Sequence, residues 1–510
     1  MRFVKLAALA ATAMLAALPA AAQKSQDTLR VAINNPFAVL STYDLPVDEA
    51  GIFSREVYDH LLYYDEHNKK FVGALATSWK RVDDTTLEYE LRTDIKFHNG
   101  DSFDANDVKV TLDYILDPKS KITFPANYRW VKEAEVLGPH KIRVRSHDVN
   151  STDLALMSYR FPIYNGKVMA KMENKADYGR LNPIGSGILK VVSMDGNKGI
   201  LVERNTAYNT TSGYKKAHIK RIQGVPLPDR QTQAAQMMVG GIDLLRNVEP
   251  ELAKSLTTNP SVQVTYMKEP SLVYLALDSQ NLSGNKALSD PRVRKAIHMG
   301  IDREKIIQYI IPGGHVAERI DADCFKATIA CKYTVKPAPY DPEGAKKLLA
   351  EAGYPNGLDL HYLVYAPNKT VGEAIAGELH KIGIRVTLQA ADISLYRRLQ
   401  GDGKLQAWSI LFPTGVYPDA SNIFNVLFSG PAMRYYQDDV ITQAMKDGLR
   451  EFDPDKRADI YMRAFNRINE MHYHLPISSV PTVYVHSKDV EVKQNPFSAG
   501  QTYVGDYAWK

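Results

Sequence analysis

The chain has 510 residues, of which 45% are hydrophobic and 24% charged, and its net charge is +5. These are ordinary values for a soluble globular protein, and the length accommodates one to three domains with a large core. No Lys/Arg block is present, so the mild positive balance argues against a nucleic-acid partner and reads as a solvated surface.

In chain order, Arg2 and Lys5 precede an apolar run from Leu6 to Leu18, then Pro19 and Ala20–Ala22. This is the pattern of a secretory signal peptide over residues 1–22, and its apolar run is too short for an ordinary spanning helix. No Cys follows the run, which disfavours a lipoprotein. No later stretch reaches the roughly 18 apolar residues that a spanning helix needs. A soluble, exported mature chain is expected from Gln23 onward.

"DTLRVAIN" alternates apolar and polar residues and reads as a strand. "TLEYELR" does the same, with Leu87, Tyr89 and Leu91 on one face, and "HNGD" supplies a turn at Asn99-Gly100. "DANDVKVTLDYIL" reads as a helix capped by Asp104, with Asp107 in its first turn. Three later helices begin with Asp-Pro, at Asp290, Asp341 and Asp453. Asp caps the free N–H groups, and Pro suits the first helical position. In the helix from Asp341, Ala345, Leu348, Leu349 and Ala352 form the buried stripe, and Gly353 stands where a left-handed terminal residue belongs. "LDLHYLVYA", "IRVTLQAA" and "AWSILF" are strand-like. Helices and strands alternate, so the class is α/β, with domains wound through each other.

The chemistry is sparse. There is no G-x-S-x-G elbow, Walker loop, H-E-x-x-H or Rossmann glycine fingerprint. "GSG" at Gly185–Gly187 reads as a turn. The acid pairs Asp83-Asp84 and Asp438-Asp439 lie in polar stretches and read as solvated. His472 and His474 lack a third metal ligand in view, so no metal and no cofactor are expected. Cys324 and Cys331 most simply form one disulfide in an oxidising compartment, with a metal pair or free thiols as the alternatives. The absence of a nucleophile–base set in an exported chain points toward binding.

Several motifs carry a resemblance. "LATSWKRVDDTTLEYELRTDIKFHNGDSFDANDVKVTLDYI" is similar to the signature region of the bacterial extracellular solute-binding proteins, family 5, the oligopeptide, dipeptide and nickel type. "NPIGSGILKV", "ERNTAY", "DPRVRKAIHMGIDREKI", "YDPEGAKKLLAEAGYPNG" and "KIGIRV" follow in the family's order. The resemblance runs from Leu29 to the C-terminus. It implies a two-lobed periplasmic-binding-protein hinge fold (type II, cluster C) with an extra subdomain inserted in the first lobe. Residues 27–58, 187–274 and 480–510 would form the first-lobe core, 59–186 the subdomain and 275–479 the second lobe. It further implies a monomeric periplasmic receptor of an ABC importer. Its partners would be a small organic solute (peptide-like, sugar or aromatic) and a permease with its ATPase subunits. A nickel or metal-chelate binder of the same family, and a secreted hydrolase, are the alternative readings.

Peptide-binding relatives pair an Asp with the peptide amine. In "WSILFPTGVYPDASN" the matching position is Val416, and Asp419 is the nearest acid. From Leu360 to Ile384 there is no Arg for a ligand carboxylate, and Lys369 is the cation near that place. An unpaired buried ammonium costs several kcal/mol, so these departures argue against free zwitterionic peptides. Asp419 remains the candidate amine anchor. The aromatic residues Trp408, Phe412 and Tyr417, with Phe37, Tyr43 and Trp130, are the candidates for stacking on a solute.

Overall fold

The strand predicted after the signal, Thr28–Ile33, lies inside a mixed seven-stranded sheet. The computed structural model describes residues 24, 26–36, 38–44, 48–209, 215–268, 271–413, 417–494 and 502–510. The signal segment therefore lies outside the described residues. Across the sheet the order is Val262–Met267, Thr482–Ser487, Leu244–Arg246, Thr28–Ile33, Arg221–Pro226, Gly199–Arg204 and Leu189–Asp195. Thr28–Ile33 runs parallel to both its neighbours, with Thr28 opposite Arg221 and Ile33 opposite Pro226, and the other pairings are antiparallel. Residues from the beginning, middle and end of the chain share this sheet, which is the core of the first lobe.

A separate four-stranded antiparallel sheet holds Ala76–Asp83, Thr86–Leu91, Lys141–Ser146 and Val131–Gly138. Leu87, Tyr89 and Leu91 are buried on one face, as their alternation predicts. On the other face Glu88 meets Arg143 at 2.6 Å and Glu90 meets Lys141 at 2.6 Å, cross-strand pairs of opposite charge. The helix Ala105–Leu116 begins with a reciprocal capping box between Asp104 and Asp107. Burial lifts the Asp107 carboxyl to about 6.

The second lobe is built on a six-stranded sheet of Ser271–Leu277, Leu358–Tyr365, Ile384–Ala391, Ala407–Ser409, Leu411–Pro413 and His474–Ser479. The single run "AWSILF" becomes two short strands interrupted at Ile410, both antiparallel to Ser271–Leu277. All three Asp-Pro helices form where expected, as Pro291–Met299, Pro342–Glu351 and Pro454–Glu470, each with its Asp side chain accepting a backbone N–H. Gly353 takes φ +95°, the left-handed conformation that ends a helix.

Two adjacent antiparallel connections join the lobes. Val262–Met267 pairs with Thr482–Ser487 in the first sheet, and their continuations Ser271–Leu277 and His474–Ser479 pair in the second. Ser271–Leu277 is one unbroken strand of the second sheet. Both ends of the described chain sit on the first lobe. The Lys24 Nζ donates to the Lys510 carbonyl at 2.9 Å, and the Trp509 indole N–H donates to Asp27 at 3.0 Å. Among the described residues, no helix is long and apolar enough to cross a membrane.

Candidate functional site: the boundary between the lobes

The helix Pro454–Glu470 belongs to the second lobe, and its Asp453 cap fixes the direction of its first turn. From that turn Arg457 reaches the subdomain, donating to the Ser151 carbonyl at 3.3 Å and to its own lobe's Glu451 carbonyl at 2.9 Å. The Ser151 N–H donates to the Leu449 carbonyl, and its Oγ to the Gly448 carbonyl, both at 2.8 Å. On the subdomain, Arg81 grips Asp153 through both carboxylate oxygens at 2.8 and 2.9 Å. Its guanidinium lies over the ring of Phe452, 3.7 Å from the centroid, which is a cation–π contact between the lobes. Burial raises the Asp153 carboxyl, and the Arg81 charge opposes that shift.

The aromatic segment after Leu411–Pro413 reaches the same boundary. Tyr417 is buried with the first-lobe core, and its hydroxyl shares hydrogen bonds with Ser421 at 3.2 Å and Asn425 at 3.1 Å. Burial pushes its phenol up to about 12. The Asp419 carboxylate accepts from the Ser421 N–H at 3.0 Å and from Arg457 Nη2 at 2.7 Å. Cys324 and Cys331 are joined in a disulfide. The loop they close lies along the same segment: the Ile329 N–H donates to the Pro418 carbonyl and the Ala420 N–H to the Ile329 carbonyl, both at 2.9 Å.

Between these elements lies a cavity of about 590 Å³, lined from the subdomain by Tyr64, Phe71 and Arg81 and from the second lobe by Ile329, Phe452 and Arg457. That volume falls within the roughly 300–1,000 Å³ common for small-molecule sites.

Most candidate side chains make their contacts in the interior. Trp408 is 1% exposed and packs on Tyr435, with ring centroids 4.8 Å apart. Tyr43 is fully buried, edge-on to Tyr128 and Tyr164, and donates to the Pro162 carbonyl at 2.7 Å. Trp130 is half-buried against Phe161 in the subdomain. In this structure the Trp408 and Tyr43 rings are packed into cores, and Trp130 is only partly covered. Tyr417 and Asp419 are brought together at the boundary. Phe37, Val416 and the Phe412 side chain lie outside the described residues. Lys369 is exposed and pairs with Glu373 at 3.4 Å.

The acid at 438 departs from the expected solvated role. Asp438 is buried, caps Asp439–Gly448 and accepts from Arg467 at 2.8 Å and Tyr473 at 2.9 Å. His474 is buried between Asp323 at 3.1 Å and the Tyr436 hydroxyl at 2.6 Å. No group of three or more metal-ligating side chains occurs among the described residues. Gly185 and Gly187 serve a close approach. A Cβ at either would lie 1.8 or 2.3 Å from the Val57 or Glu56 carbonyl oxygen.

Sequence reading missed Arg160. It follows the helix Asp153–Tyr159, is half-buried, and forms no ion pair among the described residues. Its Nε is buried with no acceptor. The available signal was a single cation inside the apolar stretch "LALMSYRFPIY".

Two lobes joined by paired crossing strands, with a cavity at their boundary, define a hinged binding protein. A profile described as bacterial extracellular solute-binding proteins, family 5 Middle, matches residues 70–435, and the chain belongs to that family. Among curated relatives, the glutathione-binding protein GsiB of Shigella dysenteriae is 23% identical over 507 residues, covering 96% of each chain. Heme-binding protein A of Haemophilus influenzae is 26% identical over 452 residues, covering 81% of this chain and 79% of its own. Among solved structures, NikA from Brucella suis in complex with Fe(III)-EDTA superposes with a TM-score of 0.81 at 23% identity. It covers 95% of this chain and 100% of that one. DppA from Helicobacter pylori, in complex with the peptide STSA, gives 0.74 at 21% identity, covering 95% and 99%. The protein is thus a solute-binding component of an ABC importer with the two-lobed fold.

Proposed function

We propose that this protein is the periplasmic receptor of its importer, exported by the signal peptide at residues 1–22, and that it captures a small organic solute between its lobes. Closure buries the solute and presents the closed form to the permease, with no covalent step. The solute biases closure by its differential affinity for the two forms. The handle it offers is not a free α-ammonium group. The observation carrying this reading is that the Asp419 carboxylate is already neutralised by Arg457, with 0% and 4% of the two side chains exposed. An ammonium group brought there would displace a buried guanidinium from its counter-ion, at a cost of several kcal/mol.

The test is native mass spectrometry of protein purified without refolding, followed by thermal-shift titration with free dipeptides, their N-acetyl derivatives and glutathione. A ligand raises the melting temperature with concentration. N-acetyl forms that bind as well as the free forms support the reading. A preference of about tenfold or more for the free amine overturns it.

A further inference from the structure

The second lobe meets the first on both faces of the first-lobe sheet. Along Val262–Met267 successive side chains point to opposite faces. Met267 packs on the core that also holds Tyr417, and Tyr266 packs on the core of the reverse face. The boundary cavity lies on the Met267 side, since its Phe71 and Ala155 belong to that same core. On the Tyr266 side the second lobe arrives again, through the turn that follows its helix Arg303–Tyr309.

Gly313 in this turn takes φ +64°, and a Cβ there would lie 2.7 Å from the Tyr266 Cγ. The bare backbone therefore bears directly on the ring, an approach that only glycine allows. His315 meets the same ring edge-on, with centroids 5.3 Å apart. The turn is fastened to the second lobe on either side. The Ile311 N–H donates to the Ile306 carbonyl at 3.0 Å, and a Cβ on Gly314 would collide with the Ile307 carbonyl. Farther on, the Glu318 N–H donates to Ser479 Oγ at 2.7 Å and the Ser479 N–H to the Glu318 carbonyl at 2.8 Å. Ser479 ends the second-lobe strand of the other connection between the lobes. The ring, by contrast, has room to move. A cavity of about 650 Å³, lined by Tyr266, Ile307, Ile311, His315, Ala317 and Arg319, opens beside it, so close packing does not lock it in place.

We propose that Tyr266 and Gly313 form the rear bearing of the hinge, a contact that sets how far the lobes open. Rotation about the two connections moves the front and rear contacts in opposite senses, as on a lever. Widening the boundary drives the Gly313 turn against the Tyr266 ring. The missing side chain lets that opening proceed, and the ring stops it. Both are positioning residues, which move the open–closed balance from the side of the sheet away from the solute. Affinity follows the balance, because the apparent dissociation constant scales inversely with the fraction of the competent form. Only this last step, from balance to affinity, rests on the receptor reading above.

Small-angle scattering of the full mature protein without ligand reads the balance directly. Gly313→Ala places a methyl group behind the hinge and should favour the closed form, with a radius of gyration no larger than wild type. Tyr266→Ala removes the stop and should raise the radius while thermal unfolding remains a single transition. In the double variant the methyl group enters the space the ring vacated, and the radius should return toward wild type. Loosened packing would raise the radius in all three, so this pattern separates a bearing from a merely structural contact. A wild-type radius in Tyr266→Ala overturns the bearing, as does a folded Gly313→Ala with a radius above wild type. If Gly313→Ala does not fold, the outcome for Tyr266→Ala decides. With a solute identified by native mass spectrometry, Tyr266→Ala should bind it about threefold or more weakly and Gly313→Ala at least as tightly as wild type. The opposite order overturns the bearing. Failure to find any solute removes the receptor reading and leaves the scattering result to decide the bearing.

Discussion

The Asp419 carboxylate and the Arg457 guanidinium meet at 2.7 Å in a pair almost wholly removed from solvent. Removing one partner of such a pair leaves a buried charge, at a cost of about 3–5 kcal/mol. Asp419→Ala should therefore lower the urea midpoint markedly. Adding Arg457→Met should recover part of the loss by removing the stranded charge. If Asp419→Ala keeps its full stability and loses only solute binding, the carboxylate is a ligand anchor and this account fails.

Phe452→Ala tests the contact between lobes. Its ring lies under the Arg81 guanidinium, while Asp153 holds that guanidinium from its own side. A cation–π contact is worth about 0.5–2 kcal/mol, so the open form should gain between about twofold and thirtyfold in relative population. Small-angle scattering of ligand-free protein should show a larger radius of gyration, with a saturating ligand restoring the wild-type value. An unchanged radius in both states would show that closure does not depend on this contact.

Several buried histidines contribute to the response to acid: burial holds His60 and His298 well below the usual imidazole range, and His98 and His472 are lowered as well. His98 accepts the Gly185 N–H at Nδ1 and donates from Nε2 to the Gly187 carbonyl, at 3.2 and 2.9 Å, so the native state requires the neutral ring. Burial lowers both His98 and His472 to about 4, against about 6.5 in the unfolded chain. Their contribution is complete above about pH 6.5 and is lost as pH falls toward 4, with each ring costing up to about 1.4 kcal/mol per pH unit. Asp107 has the opposite sign: with its carboxyl raised to about 6, it is destabilising above that value, and acidification relieves this. Stability should fall between neutral pH and about 5, and His98→Gln should remove one share of the fall, the other buried histidines keeping theirs. An equally steep decline in His98→Gln, measured by urea unfolding across that range, would assign the sensitivity elsewhere.

The disulfide braces the site as well as the fold. Breaking a loop this short by Cys324→Ser should cost about 2–3 kcal/mol. Ile329 of that loop holds the Pro418 and Ala420 backbones and lines the cavity, so solute affinity should fall too. A melting temperature lowered without any change in affinity would show that the loop acts on stability alone.

What could be read from the residues was mostly local. Asp104, Asp290, Asp341 and Asp453 cap helices because a cap needs only its own next three residues. The alternation of Leu87, Tyr89 and Leu91 fixes a buried face for the same reason. The site depends on distant partners. Asp419 meets a residue 38 positions away, and Asp438 is buried by Arg467 and Tyr473 on a different element. Whether a strand face looks into a core or a cleft is set by what covers it, so Trp408 and Tyr43 gave the same signal as a solute-stacking ring. That Arg160 would be left without a counter-ion among the described residues was hidden for the same reason, since it depends on what packs around it.

The meeting of Lys24 with the Lys510 carbonyl, and of Asp27 with Trp509, has a use in reagent design. Joining the ends there by a short linker leaves both hinge connections untouched, and such proximity is what lets chains tolerate circular permutation. New ends could then be opened in an exposed second-lobe loop. A fluorophore attached there would travel with the moving half while the rejoined half stayed anchored, turning solute capture into an optical signal.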